Sequence, residues 1–238
     1  MMLGQLKSWL QDRIVSALDP AICLTCKTGI RSLHYFCDSC LQRLRHVSQP
    51  CSLCGKPQSL PADICAKCLY DPPYWDSMIT PLIYRGLCRD LLIQFKYQHQ
   101  IYMARCLTHV IRECFISPVS PPEVILPVPL HANRLIERGF NQAEEIARLL
   151  SGYSHIPVDL HALKRVRSTP PQSGLSASHR ARNLIKAFEY EPRQSYRHIA
   201  LVDDIVTTGS TIHEISKTVK RRGVSRIDIW GIARAIND

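Results

Sequence analysis

Two groups of residues in this 238-residue chain have the types and spacing to do chemistry. The first is a cysteine array, Cys23-x-x-Cys26, Cys37-x-x-Cys40, Cys51-x-x-Cys54 and Cys65-x-x-Cys68, in which each pair starts 14 residues after the last. A Cys-x-x-Cys turn sets two thiolates on one side of a tight knuckle, and two knuckles complete the four-sulfur tetrahedron that Zn²⁺ prefers. Four knuckles therefore predict two zinc ions, structural because a four-sulfur shell leaves no open position for substrate. An iron–sulfur cluster is the metallic alternative, and disulfides or a redox pair the non-metallic ones. Sequential pairing (23/26 with 37/40, 51/54 with 65/68) is favoured over interleaving, because each ten-residue spacer can fold as a hairpin. Gly55, directly after Cys54, suits a knuckle that needs positive φ. His34 and His46 lie near the array but, with eight thiols at hand, read as surface residues, and Cys88, Cys106 and Cys114 read as small buried side chains.

The second group runs from His198 to Thr211. An apolar strand ends in Asp203 and Asp204, and after Ile205-Val206 comes Thr207-Thr208-Gly209-Ser210-Thr211, then a helix with Ile212, Ile215 and Val219 inward. Such a strand delivers two carboxylates to the rim of a sheet, where open α/β folds bind ligands. The glycine-containing turn offers backbone N–H groups and hydroxyls at a helix start, a cradle for an anion. Carboxylates beside that cradle would repel a phosphate unless they meet hydroxyls or a cation, and vicinal ribose hydroxyls with Mg²⁺ supply both. Asp203 and Asp204 thus read as ribose binders and the turn as a 5′-phosphate site. Taken singly, the acids could be a strand-end cap and the hydroxyls a helix cap.

The elements that must position these residues follow from apolar periodicity. Leu3, Leu6, Leu10 and Ile14 mark an amphipathic helix over 1–19, stopped by Asp19-Pro20. Residues 20–72 lack a core-forming pattern and need another staple, a double zinc ribbon. After Asp71-Pro72-Pro73 the texture becomes α/β over 77–238. Strands are expected at 78–84, 124–128, 184–188, 199–202 and 226–232, and helices at 87–97, 102–115, 142–150 and 211–222. Alternation of this kind predicts a largely parallel sheet with helices on its faces.

The formal charge of +10 is uneven: residues 1–76 hold 8 Lys and Arg against 6 acids, leaving 22 against 14 for the rest. A basic surface suits nucleic acid, a multi-phosphate pocket or plain solvation. No apolar run is long enough to span a bilayer and no secretory signal stands at the N-terminus, so a cytoplasmic protein, not membrane-embedded, is expected.

At this point the chain resembles the type I phosphoribosyltransferases, and within them the ComF/GntX family linked to competence, DNA uptake and DNA utilisation. The resemblance covers nearly the whole chain. It rests on the paired knuckles, on Pro127-Val-Pro-Leu130, Arg134 and Arg138-Gly-Phe-Asn-Gln142, on Arg167 through Gln172 to Arg182-Asn183, and on Val202 to Thr211. It implies 5-phosphoribosyl-1-pyrophosphate as ligand, with Mg²⁺ accompanying it and Asp203, Asp204 and Arg138 as catalytic residues. It places the pyrophosphate loop after the 124–128 strand, with Arg134 and Arg138 as contacts. For Arg138 and Asn141, bracing the turn into the next helix is an equal alternative. Residues 163–183, basic and rich in Ser, Pro and Gly, resemble the hood that closes over such sites; a plain loop and a nucleic-acid contact are the other readings.

Two functions are consistent with this sequence. One is a transferase in which basic side chains stabilise departing pyrophosphate while an acceptor nitrogen attacks C1′. The segment 231–235, where related enzymes read the base, shows no recognisable base pocket, so the acceptor is open. The other is a non-catalytic sugar-phosphate sensor that holds single-stranded DNA or a protein of the uptake machinery.

Overall fold

The computed structural model describes residues 21–30, 35–97, 100–115, 120–167 and 184–236. The helix expected at 1–19 and most of the expected hood, 168–183, lie outside the described residues. The chain divides into two compact units, one ending at Leu44 and the other running from Arg45.

In the first unit, β1 (Ala21–Ile22) pairs antiparallel with β2 (Gly29–Ile30) around the Cys23 knuckle, and α1 (Asp38–Gln42) starts at Cys37. The hairpin thus brackets a knuckle, instead of filling the spacer between two. Among the described residues of this unit, Cys23, Phe36, Cys40 and Leu44 are each at most 2% exposed.

The second unit opens with the other two knuckles, Cys65 again standing at a helix start, that of α2 (Ala66–Tyr70). Five strands then form one parallel sheet: β3 (Ser77–Ile79), β4 (Leu82–Ile83), β5 (Val124–Pro127), β8 (His198–Val206) and β9 (Arg226–Arg234). The order is β3-β9-β8-β5, with β4 also pairing β9. Helices α3 (Gly86–Tyr97), α4 (Tyr102–Ile111), α5 (Ala132–Arg138), α6 (Gln142–Ser154) and α7 (Ser210–Lys220) surround it. The α/β class with a parallel sheet and flanking helices is as the periodicity predicts.

Alternation along β9 explains why both faces are covered. Ile227 and Ile229 join the core that holds Ile212, Ile215 and Val219 of α7, whereas Trp230 packs on Phe115, ring centroids 5.2 Å apart. Strands buried on both sides read as continuous apolar runs, as the segments 199–202 of β8 and 229–233 of β9 do.

Several expected boundaries shift, and the strand foreseen at 78–84 is two short strands, β3 and β4. The strand foreseen at 184–188 is β7 (Phe188–Tyr190), paired antiparallel with β6 (Leu163–Arg165) away from the main sheet. Leu184 is fully buried but caps a turn closed by Ala187 N–H to its carbonyl (3.0 Å), and Lys186 takes φ 56°, which strand geometry forbids. Helix α4 stops at Ile111 and gives way to a 3₁₀ turn, Arg112–Cys114.

Candidate functional site

The eight cysteines of the register form two groups in sequential pairing, Cys23, Cys26, Cys37 and Cys40, then Cys51, Cys54, Cys65 and Cys68, with the sulfurs of each group within 4.8 Å of one another. Tetrahedral Zn²⁺ with Zn–S bonds of about 2.3 Å requires sulfurs about 3.8 Å apart. Cys26 and Cys37 Sγ stand 3.6 Å apart and Cys54 and Cys65 Sγ 3.8 Å, so both groups fit the ion.

The local fold of the two groups repeats with a 28-residue period. In each, the residue after the first knuckle has positive φ, Lys27 (63°) in one and Gly55 (65°) in the other. Its N–H bonds back to the first cysteine's carbonyl, from Lys27 to Cys23 and from Gly55 to Cys51, both at 2.9 Å. Glycine at the second position matters more, because a Cβ there would stand 2.3 Å from Thr80 Oγ1.

The knuckles also prepare thiolates. Burial raises the Cys23 thiol, but N–H groups of Cys26, Cys37 and Thr25 outweigh it and bring it down to about 6. Cys51 falls to about 7 against burial, through the N–H groups of Cys65, Cys54 and Leu53. Cys40 is pushed up to about 12 by burial and by its neighbouring sulfurs. One anion thus discourages the next, and a divalent cation removes that conflict.

The acidic pair sits where β8 runs out toward the carboxyl ends of β5 and β9. Asp203 is in register with Gly231, while β5 stops at Pro127, opposite Val202. Asp203 Oδ1 accepts the Asp204 N–H (2.9 Å), and Asp204 Oδ1 accepts the Ile205 N–H (2.7 Å). Burial and the Asp204 charge push the Asp203 carboxyl up to about 8, against Lys96. Beyond Val206 the exposed Thr207 and Thr208 lead to Gly209 at φ 80° and the start of α7. Thr208 Oγ1 and Ser210 Oγ lie 2.9 Å apart, and Thr211 occupies the first turn.

Basic side chains converge on this rim. Lys96, in the last turn of α3, places Nζ 2.9 Å from Asp204 Oδ2. Burial opposes its charge, but the Asp204 carboxylate prevails and raises its pKa. Sequence reasoning passed over Lys96; the signal was a lysine four residues after Leu92 on the buried stripe of an amphipathic helix. Arg165 was placed in the hood. It lies within electrostatic reach of Arg134 and Asp203, with burial and the Arg134 charge holding it below its ordinary value against Asp203.

The 138–142 motif builds a corner. Gly139 ends α5 at φ 74° and Asn141 Oδ1 caps α6 by accepting the Ala143 N–H (3.1 Å), while its Nδ2 donates to Val128 O (3.1 Å). Asn141 is therefore a brace. Arg138 is braced as well, donating to Gln142 Oε1 (3.1 Å) and lying 5.2 Å over the Tyr97 ring, yet it also acts on the Lys96 charge at the rim.

No protein-family model matches the chain. Among curated proteins it is 36% identical over 222 residues to "Competence protein F" of Haemophilus influenzae, covering 90% of this chain and 96% of that one. It is 32% identical over 223 residues to "DNA utilization protein YhgH" of Escherichia coli K12, covering 91% and 98%. "Competence protein ComFC" of Bacillus subtilis is 28% identical over 199 residues, 79% of this chain and 78% of that one. With end-to-end similarity at this level and the knuckles and acidic strand end in place, the chain belongs to the ComF family.

Proposed function

We propose that the protein binds 5-phosphoribosyl-1-pyrophosphate, or a closely related sugar phosphate, and transfers its phosphoribosyl group to an acceptor in the cytoplasm, in the service of DNA uptake or utilisation. The observation that carries this reading is the meeting of two carboxylates, a hydroxyl-bearing turn at a helix start and Lys96 on one sheet rim. Asp203 and Asp204 hold the ribose hydroxyls, and Thr207, Thr208, Gly209, Ser210 and Thr211 hold the 5′-phosphate. Arg134, Arg138 and Arg165 face the pyrophosphate. The names of the relatives, competence and DNA utilisation, supply the setting. Two structural zinc ions hold the cysteine groups.

Mg²⁺ would arrive with the donor, and the oxygens of Asp203 and Asp204 are the hard ligands available to it; it supplies charge neutralisation on pyrophosphate. As the acceptor's lone pair bonds to C1′, the C1′–O bond breaks and its electrons leave with pyrophosphate, whose charge the lysine and arginines stabilise. The proton on the acceptor passes to solvent. In the 231–235 segment Gly231, Ile232 and Ala233 are buried and the Arg234 side chain is committed to carbonyls, which favours an acceptor recognised elsewhere.

A second reading, a sugar-phosphate sensor on single-stranded DNA, is favoured by Tyr97 and Tyr102, both more than half exposed, with the Arg138 guanidinium over Tyr97. Calorimetric titration of phosphoribosyl pyrophosphate with Mg²⁺ tests the shared premise, beside Asp203→Asn/Asp204→Asn. Binding that is equal in both proteins sinks it. Pyrophosphate release with nucleobases or single-stranded DNA then separates turnover from sensing.

A further inference from the structure

The second cysteine group reaches the phosphate turn through two side chains. Arg234, at the end of β9 and 4% exposed, donates from Nε to the Cys54 carbonyl at 2.7 Å. Its Nη1 donates to the carbonyls of Val206 (2.7 Å) and Thr207, and to that of Ala235 (3.1 Å). Trp75 donates from Nε1 to the Leu53 carbonyl at 2.5 Å, while the far edge of its ring lies 3.4 Å from where a Cβ on Gly209 would stand. Both knuckle acceptors, Leu53 and Cys54, belong to Cys51-x-x-Cys54, whose course a bound ion fixes.

The consequence for the turn follows from peptide geometry. In a trans peptide the carbonyl of one residue and the N–H of the next point in opposite directions, and no peptide among the described residues is cis. By gripping the carbonyls of Val206 and Thr207, Arg234 turns the N–H groups of Thr207 and Thr208 away from itself, as an anion cradle needs. Trp75 supports the left-handed turn at Gly209 from beneath. A zinc ion with four thiolates carries a net charge of about −2, and the neighbouring guanidinium offsets it.

We infer that the second four-cysteine group, holding its ion, sets the geometry of the sugar-phosphate turn, with Arg234 and Trp75 as positioning residues. This rests on the sugar-phosphate reading above and gives the metal a task beyond stapling its own ribbon. Loss of the ion frees the Leu53 and Cys54 carbonyls, Arg234 loses one of its anchors, and the cradle's donors lose their common orientation.

The test uses the full chain, wild type beside Arg234→Lys, Arg234→Met, Trp75→Phe and Cys54→Ser. Zinc content, calorimetric affinity for phosphoribosyl pyrophosphate with Mg²⁺, and hydrogen exchange of the amides of 206–211 against those of 199–202 are read together. The inference expects at least tenfold weaker donor binding in Arg234→Met and Cys54→Ser, with a smaller loss in Arg234→Lys and Trp75→Phe. It also expects exchange to rise in 206–211 while 199–202 stays protected. Donor affinity within twofold of wild type in both Arg234 variants overturns it. So does exchange that rises equally in both segments, which would make the group a staple of the whole fold. If wild type itself binds no donor, the sugar-phosphate reading falls instead, and the exchange pattern still reports whether the knuckle holds the turn.

Discussion

Lys96 Nζ and Asp204 Oδ2 lie 2.9 Å apart, their side chains 18% and 9% exposed, joining the last turn of a helix to the end of the central strand. The pair brings a cation to the rim beside the acidic strand end, where the proposed polyanionic ligand would dock. Because the folded-state pKa of Lys96 is raised, its contribution is complete at neutral pH and is lost only as pH climbs past the ordinary lysine value.

Removing one partner leaves the other buried and uncompensated. Lys96→Met is expected to cost on the order of 3 kcal/mol in urea unfolding. Lys96→Met/Asp204→Asn should recover part of that loss, a coupling that a double-mutant cycle reads directly.

The Asp203 carboxyl, pushed up to about 8, gives stability a pH dependence of definite sign. Between the unfolded value of about 3.9 and 8, the unfolded chain has released this proton and the folded chain retains it. Stability from this group therefore falls as pH rises through that window and levels off above it. Asp203→Asn should raise the melting temperature relative to wild type more at pH 8.5 than at pH 5.5; a constant difference would contradict the assignment.

Metal analysis should find two zinc ions per chain, and one in either Cys26→Ser or Cys54→Ser. Zinc affinity, followed with a competing chromogenic chelator, should weaken steadily as pH falls, because protons compete with the metal for the thiolates. A site that holds its ion unchanged at pH 5 would argue against thiolate ligation.

Backbone conformation at two glycines can be checked by alanine. Gly209→Ala costs roughly 1–2 kcal/mol for its left-handed φ and should weaken donor binding. Gly55→Ala adds a clash with Thr80 to the same strain and should lower the melting temperature further. Equal melting temperatures for the two would show that Thr80 moves aside.

At the opposite end of β8, buried Asp228 accepts from Ser77 Oγ (2.7 Å) and Arg226 Nε (3.2 Å) and pairs with His198 Nε2 (2.7 Å). Asp228→Ala orphans these groups and should destabilise by about 3 kcal/mol. Donor affinity, measured below the melting transition, should remain at the wild-type level. A matching loss of affinity would mean that the two ends of the sheet are coupled.

Much of this protein was legible in one dimension because its signals are local. The 14-residue cysteine register names its own ligands, since a knuckle is made by four consecutive residues. Gly55 announces a left-handed turn, and the run from His198 to Thr211 carries strand, acids, turn and helix in contiguous order. Strand β7 was placed four residues early because Leu184 is apolar for a turn's packing and not for a sheet's. Lys96 escaped because its meaning lies in a partner far along the chain, Asp204. The same holds for Arg234, which reads as the polar end of an apolar strand until the fold sets Cys54 and Thr207 on either side of it. Local spacing determined which atoms could ligate or cradle; only tertiary packing decided which distant charges and carbonyls surround them, because those contacts depend on chain crossings that no short window contains.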